Sequence, residues 1–347
     1  MTAILPTRMI GRTGLIVTEL GVGTAPLGNL YRQVSSDDAE ATLRAALGAG
    51  FSYVDTAPYY GFGLSERRVG DAVRGASDVV ISTKVGRLLR PAPEVRDAAE
   101  RHGFHSPMPF EPEYDYSYDG ILRSREASLQ RLGLARVDIL FVHDIGRLTH
   151  RERQPAAFDQ LTSGGGFKAL KELRADGVIR AFGLGVNETA VCLEAMKHAR
   201  LDVILLAGRY TLLEQGALDA LFPACADCDT SIIVGGPYNS GILATGTRGA
   251  ETMYYDYSIA PKSVIERVQN IESCCDRHGI SLACAALQFP LGHPQVASVI
   301  PGLGSPQRVQ QTLGLYSHEI PDAFWEDLKA NGLLRADAPA PTQVARK

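Results

Sequence analysis

Continuous apolar runs recur along the chain and alternate with segments in which the apolar residues are spaced three or four positions apart. The continuous runs are typical of strands buried on both faces of a parallel sheet, and the spaced pattern is typical of amphipathic helices. The predicted strands span 19–24, 51–56, 79–85, 137–143, 179–185, 202–207, 231–235 and 297–301. The predicted helices lie near 37–49, 65–74, 120–132, 166–176, 188–199, 214–227, 262–278 and 306–314. Eight strands that alternate with eight helices predict an α/β fold, the (β/α)8 TIM barrel.

Three segments depart from this alternation. Residues 8–18 predict two short strands around Gly11–Gly14, which form a β-hairpin ahead of the barrel. Long connections at 86–119 and 236–261 follow the third and seventh predicted strands. They are therefore expected over the face where the C-terminal ends of the strands meet, which is the catalytic face of such barrels.

The alternative architecture is a doubly wound sheet, which usually carries a glycine-rich turn after its first strand. The segment Gly21-Val-Gly23-Thr-Ala-Pro26 lacks the third glycine of that turn and continues into a proline. The sequence therefore favours the barrel, as a single domain over 1–347 with a core of about 8–330. Its first helix is predicted to have Ser36 as N-cap and Gly50 as its C-terminal stop, and the tail from Ala336 is predicted to be disordered.

Composition narrows the class of protein. The chain has 347 residues, of which 45% are hydrophobic and 21% charged, the balance of an ordinary soluble globular protein. The net charge of -4 argues against a nucleic-acid partner. Neither a membrane span nor a signal peptide is predicted, and a cytoplasmic location is expected. The expected partner is a small-molecule substrate, and a homo-oligomer is left open.

The six cysteines give no signal for a metal site. Cys225 and Cys228 form a lone C-x-x-C pair without the second pair that a zinc site needs, so packing in helices is the expected role. His143 and Asp144 could form half of a metal site, but no further ligands cluster with them in the sequence. We therefore expect no metal.

Polar side chains with acid or base chemistry stand at the ends of three successive predicted strands. Asp55 ends one strand and Tyr60 follows it, Lys84 ends the next strand, and His143 ends the third. Because the strand ends of a parallel barrel converge, these four side chains are expected to meet. The set suggests a tyrosine acid/base tuned by a Lys–Asp pair, with the histidine orienting the substrate.

The same residues carry a resemblance to a known family. The motifs are Asp55-Thr-Ala-Pro-Tyr-Tyr60-Gly61 with Ser65-Glu66, Thr83-Lys84, Leu129-Gln-Arg-Leu-Gly133 leading to Val142-His143, and Ile300-Pro301-Gly302 with Pro306 and Arg308. Together they resemble the aldo-keto reductase superfamily over residues 8–330. Asp115-Tyr-Ser-Tyr-Asp119-Gly and Val142-His-Asp-Ile-Gly146 look most like the aldose 1-dehydrogenases of the L-fucose or D-threo-aldose type, and next like the pyridoxal 4-dehydrogenases.

The resemblance implies a catalytic role for each of the four residues. Tyr60 would be the general acid/base, and Lys84 would lower its pKa by favouring the phenolate. Asp55 would keep Lys84 charged and oriented, and His143 would hydrogen-bond the reacting oxygen. Tyr59 would line the substrate pocket, and a nicotinamide would carry the hydride.

The resemblance also implies a cofactor site, from which this sequence departs in part. The candidate cofactor residues are Thr24, Asn187, Gly235, Pro237, Tyr238, Gly302, Ser305 and Arg308. Many members place Lys-Ser after Ile-Pro to bind the 2′-phosphate of NADP, whereas this chain has Gly302-Leu303 and keeps one cation, Arg308. We therefore expect NAD as the cofactor, with NADP tolerated. Tyr238 is expected to replace the aromatic ring that usually stacks on the nicotinamide, since Gly235 stands at that position.

The resemblance implies an NAD(P)-dependent oxidoreductase that oxidises the C1 hydroxyl of a free aldose to the lactone. The alternatives among enzymes are a pyridoxal 4-dehydrogenase and a general aldehyde or ketone reductase. A cofactor-binding regulatory subunit and a metal-dependent barrel hydrolase are alternatives from other classes.

Overall fold

Eight parallel strands form one sheet in the computed structural model, which describes residues 5–76, 78–95, 100–249 and 252–341. They are β3 (Val22–Gly23), β4 (Tyr53–Asp55), β5 (Val80–Val85), β8 (Ile139–His143), β9 (Ala181–Val186), β10 (Val203–Ala207), β11 (Ser231–Gly235) and β14 (Val296–Ile300). Neighbours in the sheet follow one another in the chain. The Gly21 and Gly23 N–H groups donate to the Val299 and Pro301 carbonyls, both at 3.0 Å, and join the last strand to the first. The predicted barrel is confirmed, and the doubly wound alternative, which reverses its strand order, is excluded.

Helices surround the sheet, and their apolar faces share one buried cluster with the outward face of the strands. They are α1 (Ser36–Gly48), α2 (Leu64–Val73), α3 (Tyr118–Leu132), α4 (Arg147–His150), α5 (Gln154–Leu161), α6 (Gly166–Ala175), α7 (Thr189–Met196), α8 (Leu221–Asp227), α9 (Ile242–Thr245), α10 (Lys262–His278), α11 (Leu282–Gln288), α12 (Pro306–Ser317) and α13 (Asp322–Ala330). The sequence missed α4, α5, α9, α11 and α13. The N-cap of α1 is Ser35 and not Ser36, because the Ser35 hydroxyl oxygen accepts the Asp38 N–H at 3.0 Å.

The predicted N-terminal hairpin is confirmed as the antiparallel pair β1 (Thr7–Ile10) and β2 (Leu15–Thr18). Its side chains Ile10, Leu15 and Val17 are fully buried and belong to the cluster that fills the barrel interior, together with Phe141 and Leu205. The hairpin therefore closes the N-terminal end of the barrel, and the opposite end is left for the loops that follow the strands.

Both long connections on that opposite face contain hairpins. The first pairs β6 (Arg87–Pro91) with β7 (Phe110–Tyr114), and β6 begins directly after β5. The second pairs β12 (Tyr254–Tyr255) with β13 (Ser258–Ile259). Asp256, in the tight turn of the second hairpin, accepts hydrogen bonds from Arg209 at 2.9 Å on both carboxylate oxygens. The two predicted long connections therefore contain short strands of their own, which the sequence analysis did not predict.

The C-terminal tail is predicted to be disordered from Ala336, but it contacts the rest of the protein within the described residues, which end at 341. Ala338 is fully buried, and the Arg335 guanidinium is bonded to the carboxylates of Asp219 and Asp337. Apolar and charged contacts together hold a segment whose composition alone predicts disorder. Residues 342–347 lie outside the described residues. No helix in the described ranges combines the length and the apolar content that a membrane span requires.

Candidate active site

The barrel register brings the four predicted acid/base residues to one end of the sheet. Asp55 is the last residue of β4, and His143 is the last residue of β8. Lys84 lies on β5, between these two strands in the sheet, and pairs with Phe141 of β8. Tyr60 lies in the turn that follows β4 and precedes α2. The four side chains therefore share the C-terminal end of the barrel.

Lys84 is the centre of the cluster. Its ammonium donates to Asp55 Oδ2 at 2.6 Å and to the Thr56 carbonyl at 2.9 Å, and it lies 4.8 Å from the centre of the Tyr60 ring. The side chains of Lys84 and Asp55 are only 2% exposed, so water does not screen the pair. Burial opposes the positive charge, but the Asp55 carboxylate and the Tyr60 phenol outweigh it and raise the pKa of Lys84. Lys84 is therefore a cation at neutral pH.

The second oxygen of the Asp55 carboxylate is held by a residue that the sequence analysis missed. Ser82 donates its hydroxyl to Asp55 Oδ1 at 2.7 Å, and the Tyr53 hydroxyl lies 2.8 Å from the Ser82 oxygen. Both side chains are fully buried inside the barrel. Ser82 stands two positions before Lys84 on the same strand, so the strand period places both on one face. This period is the signal that could have identified Ser82.

Two glycines fix the backbone beside Tyr60. A Cβ on Gly28 would lie 2.5 Å from the Tyr60 carbonyl carbon, so only glycine allows the two segments to approach this closely. Gly61 has a φ of 64°, a left-handed conformation in which glycine has no steric penalty. The glycine after Tyr60 therefore has a structural reason.

The pKa of Tyr60 is raised, against the expectation that Lys84 lowers it. Burial is the largest influence and raises it, the Lys84 cation lowers it, and the Asp55 carboxylate raises it again. Lys84 acts in the predicted direction, but desolvation of the phenolate is larger. Without bound ligands, Tyr60 is therefore a neutral phenol at neutral pH.

His143 is buried and neutral. Burial, and then the positive charges of Arg87 and Lys84, hold the pKa of His143 well below its usual range. Its Nδ1 atom is buried and has no hydrogen-bond partner within the described part of the chain. An orphaned donor costs more than an orphaned acceptor here, so we assign the proton to Nε2. The His143 ring centre lies 6.3 Å from that of Tyr60, so Nε2–H and the phenol can contact the same oxygen.

An ion pair beside His143 is the main feature that the sequence analysis missed. Arg87, at the start of β6, bonds to the carboxylate of Asp144, and the Asp144 Oδ2 atom lies 3.5 Å from His143 Nε2. Arg87 is 4% exposed, and its guanidinium carbon lies 4.1 Å from the centre of the Tyr59 ring. Sequence reasoning considered Asp144 as a metal ligand and as part of a motif, but it did not predict the register that pairs Val85 with Val142, two residues before Arg87 and Asp144.

Tyr59, the predicted substrate-pocket residue, lies beside His143 in a group of aromatic rings. Its ring packs edge-on against Phe62, Phe104 and His143, with ring centres 5.5 to 6.2 Å apart. Both tyrosines are partly exposed, but it is the Tyr60 ring whose centre lies 4.8 Å from the Lys84 ammonium. The structure thus places the two tyrosines differently, and Tyr60 is the one next to the cation.

The predicted phosphate-binding residues gather at the start of α12. Ser305 is the N-cap and accepts the Arg308 N–H at 3.3 Å, and Arg308 is exposed. Gly302 is exposed, but the Leu303 side chain is 1% exposed, so only the first residue of the predicted pair faces outward. The sequence missed a second cation here, Arg32, which donates to the Gly304 carbonyl at 3.3 Å. An exposed helix start with adjacent cations is a donor set that fits the phosphates of a dinucleotide.

The other predicted cofactor residues fall into two groups. Tyr238 is partly buried, and burial raises its pKa while the positive charge of Arg308 opposes that effect. Tyr238 therefore lies on the side of the barrel that carries α12. Gly235 and Pro237 are buried next to it at the end of β11. A Cβ on Gly235 would lie 3.1 Å from Leu205 Cδ2, which leaves little room for an aromatic side chain there.

Thr24 and Asn187 have no observed contact that favours a cofactor. Thr24 is fully buried and donates its hydroxyl to the Asp55 carbonyl at 2.8 Å, so it lies behind the site and does not face it. Asn187 follows β9, and its backbone carbonyl accepts a hydrogen bond from Arg209 at 2.7 Å.

The motif residue Glu66 has a structural role. It is fully buried, accepts the Thr83 hydroxyl at 2.7 Å and pairs with Arg131 of α3. It therefore ties α2 to β5 and α3, and it is more than a charge in the first turn of a helix.

One group of three metal-ligand side chains occurs among the described residues, remote in sequence from the four acid/base residues. Cys274, His278 and Asp327 have their ligand atoms within 4.8 Å of one another. Arg277 already donates to Asp327 at 2.7 Å, which places a cation where a metal ion would be. Cys225 is buried and its partner Cys228 is partly exposed, and both are free thiols in α8 or at its end.

Comparison with known proteins agrees with this arrangement. The model of the aldo/keto reductase family matches residues 19–331. The pyridoxal 4-dehydrogenase of Microbacterium luteolum is 45% identical over 94% of this chain and 97% of its own length. The D-threo-aldose 1-dehydrogenase of a Pseudomonas species is 40% identical over 91% of this chain and 94% of its own length. Both belong to the two groups that the motifs resemble.

Among solved structures, an aldo-keto reductase from Bacillus halodurans in its holo form superimposes with a TM-score of 0.72. The match covers 99% of this chain and all of the other chain, at 24% identity. At that identity the likeness establishes the fold.

Proposed function

The chain belongs to the aldo/keto reductase family and is an oxidoreductase, and we propose that it oxidises the C1 hydroxyl of a free aldose, of the L-fucose or L-galactose type, to the lactone with an NAD(P) cofactor. One observation carries the proposal. The Lys84 ammonium is held by Asp55 at 2.6 Å and lies 4.8 Å from the Tyr60 ring, beside a neutral His143. This is the arrangement that an acid/base tyrosine requires.

In the proposed reaction the nicotinamide supplies a hydride acceptor when it is bound. Tyr60, as phenolate, takes the proton from the C1 hydroxyl, and His143 Nε2–H donates a hydrogen bond to the same oxygen. The C1–H bond breaks with its electron pair, and the C1–O single bond becomes the lactone carbonyl. Lys84 stabilises the phenolate, and Asp55 with Ser82 holds Lys84 in position. In reduction Tyr60 donates the proton instead.

Ser305, Arg308, Gly302 and Tyr238 would hold the dinucleotide at the start of α12. Aldo/keto reductases use NAD(P)H, and we propose that this chain prefers NAD. The support is that Gly302 offers no cation at the outward-facing position.

We expect NAD to give a higher kcat/KM than NADP with the best sugar. A lysine at Gly302 would supply a charged hydrogen bond to a 2′-phosphate, so Gly302→Lys should shift the preference toward NADP by about 1–2 kcal/mol. Its Cβ would lie 3.0 Å from Pro26 Cγ, a contact that a small shift of the proline ring relieves. The ratio of kcat/KM with the two coenzymes measures the effect.

Gly314→Lys is the matched control, because Gly314 is an exposed position of α12 with no atom within 4 Å of an added Cβ. It adds the same charge far from the start of the helix and should leave the coenzyme ratio unchanged. A wild-type preference for NADP of tenfold or more would contradict this interpretation, with Arg308 and Arg32 as the responsible cations.

A second candidate substrate is pyridoxal, and the specific observation that favours it is the 45% identity to a pyridoxal 4-dehydrogenase. Pyridoxal and aldoses both close to cyclic hemiacetals, so oxidation of the hemiacetal hydroxyl gives a lactone in either case. A panel of aldoses, pyridoxal and simple aldehydes with NAD(H) and NADP(H) distinguishes the candidates. The highest kcat/KM with an aldose supports the proposal, and the highest value with pyridoxal or with a simple aldehyde refutes it.

Activity assays also test the two alternatives that belong to other classes of protein, the regulatory subunit and the hydrolase. A cofactor-binding regulatory subunit would turn over every substrate poorly. A metal-dependent hydrolase would lose its activity in the presence of a chelator, whereas the proposed dehydrogenase would keep it.

A further inference from the structure

The ion pair of Arg87 and Asp144 is not used by the proton and hydride transfer described above, although it adjoins the reacting groups. Asp144 has a φ of 46°, and its N–H donates to the Gly185 carbonyl at 3.0 Å. Aspartate is one of the few residues that adopt this left-handed conformation readily. With this backbone conformation the Asp144 carboxylate lies beside His143.

Arg87 holds the Asp144 carboxylate from the buried side. Its guanidinium bonds to Asp144 Oδ2 and packs over the Tyr59 ring, while the Asp144 side chain keeps 25% of its surface exposed. A buried ion pair contributes little net stability, because desolvation offsets the attraction. The pair is therefore better explained by what the exposed part of the carboxylate contacts than by folding.

The spacing of the polar atoms indicates that contact. His143 Nε2, which donates to the reacting oxygen in the proposed function, lies 3.5 Å from Asp144 Oδ2. One atom is a donor and the other an acceptor, and their separation suits two oxygens on adjacent carbons. An ionised carboxylate accepts hydrogen bonds and does not donate them, so at this spacing it suits an O–H group on the carbon next to the oxidised one.

We infer that Asp144, positioned by Arg87, is a specificity-determining residue that binds the hydroxyl on the carbon adjacent to the oxidised carbon, which is the 2-OH of an aldose. This inference rests on the proposed function. It assigns a substrate class, the 2-hydroxy aldoses, and disfavours substrates without a hydroxyl on that carbon.

The test compares an aldose with its 2-deoxy and 2-deoxy-2-fluoro analogues, for the wild type and for Asp144→Asn, by kcat/KM with NAD. Fluorine retains the electron withdrawal of the hydroxyl but cannot donate, so it separates electronic effects from binding. The wild type should lose about tenfold to a hundredfold on both analogues, the range for a hydrogen bond to a charged group. In Asp144→Asn the discrimination should fall to a few-fold, through loss on the parent sugar.

Asp256→Asn is the matched control, because Asp256 also pairs with an arginine on the same face of the barrel, in the β12–β13 hairpin. Its discrimination between the sugar and the analogues should equal that of the wild type. If Asp144→Asn does not fold, equal kcat/KM on the sugar and both analogues by the wild type still refutes the inference.

Two outcomes overturn the inference in different ways. Equal kcat/KM on the sugar and both analogues by the wild type refutes the inference and leaves the proposed function intact. Absence of turnover on every aldose refutes the proposed function, and the inference falls with it.

Discussion

Replacement of Tyr60 by phenylalanine should remove nearly all turnover while cofactor affinity stays close to that of the wild type. The phenol hydroxyl is the proposed proton acceptor, and general acid/base groups typically contribute about 10²–10⁴-fold. The ring itself is retained, so its packing against His143 and its contact with Lys84 should persist. Steady-state kcat with the best aldose and calorimetric titration with NAD measure the two effects separately.

Tyr59→Phe is the control for this substitution, because it removes the same hydroxyl from the neighbouring residue. Its ring would still lie under the Arg87 guanidinium, and the cation–π part of that contact depends on the ring face. We expect a small effect on kcat. A Tyr60→Phe enzyme that keeps half of its activity would remove the central claim about the mechanism.

The fold and the meeting of the four acid/base residues could be predicted because both follow from apolar runs that recur along the whole chain. The apolar runs that end at Asp55, Lys84 and His143 are strands, and a parallel barrel brings strand ends together whatever the loops do. The meeting of these side chains is therefore a consequence of topology, and spacing in the sequence was sufficient to find it.

The surroundings of these residues depend on contacts that no local pattern encodes. Arg32 reaches Gly304 across 272 residues of chain. The buried side chain of Leu303 next to the exposed Gly302 likewise follows from packing. The relative size of the two effects on the pKa of Tyr60 could not be predicted from the sequence either. The sequence indicated that Lys84 favours the phenolate, but not that burial of Tyr60 is the larger influence.

That balance determines what removal of the Lys84 charge should do. Lys84→Met should lower the rate of oxidation at neutral pH and move the rise of the pH profile to higher pH. The cation lowers the pKa of Tyr60, and burial and Asp55 both raise it, so loss of the cation leaves only the influences that oppose the phenolate. Below the pKa of Tyr60, each further unit of increase removes about nine-tenths of the phenolate. The measurement is kcat with the best aldose as a function of pH.

Lys84→Met also leaves the Asp55 carboxylate buried without its cation, and breaking a buried pair in this way costs about 3–5 kcal/mol of stability. The double variant Asp55→Asn/Lys84→Met removes both charges together and so separates lost folding from lost catalysis. If the double variant recovers the thermal stability and keeps the low rate, the rate effect belongs to the missing cation. Any activity that remains in either variant should rise only at higher pH than in the wild type, because the phenolate then forms without a neighbouring positive charge. A residual profile with the wild-type optimum would show that Lys84 does not tune Tyr60, and the role of the cation would then be confined to holding the β4 and β5 strand ends together.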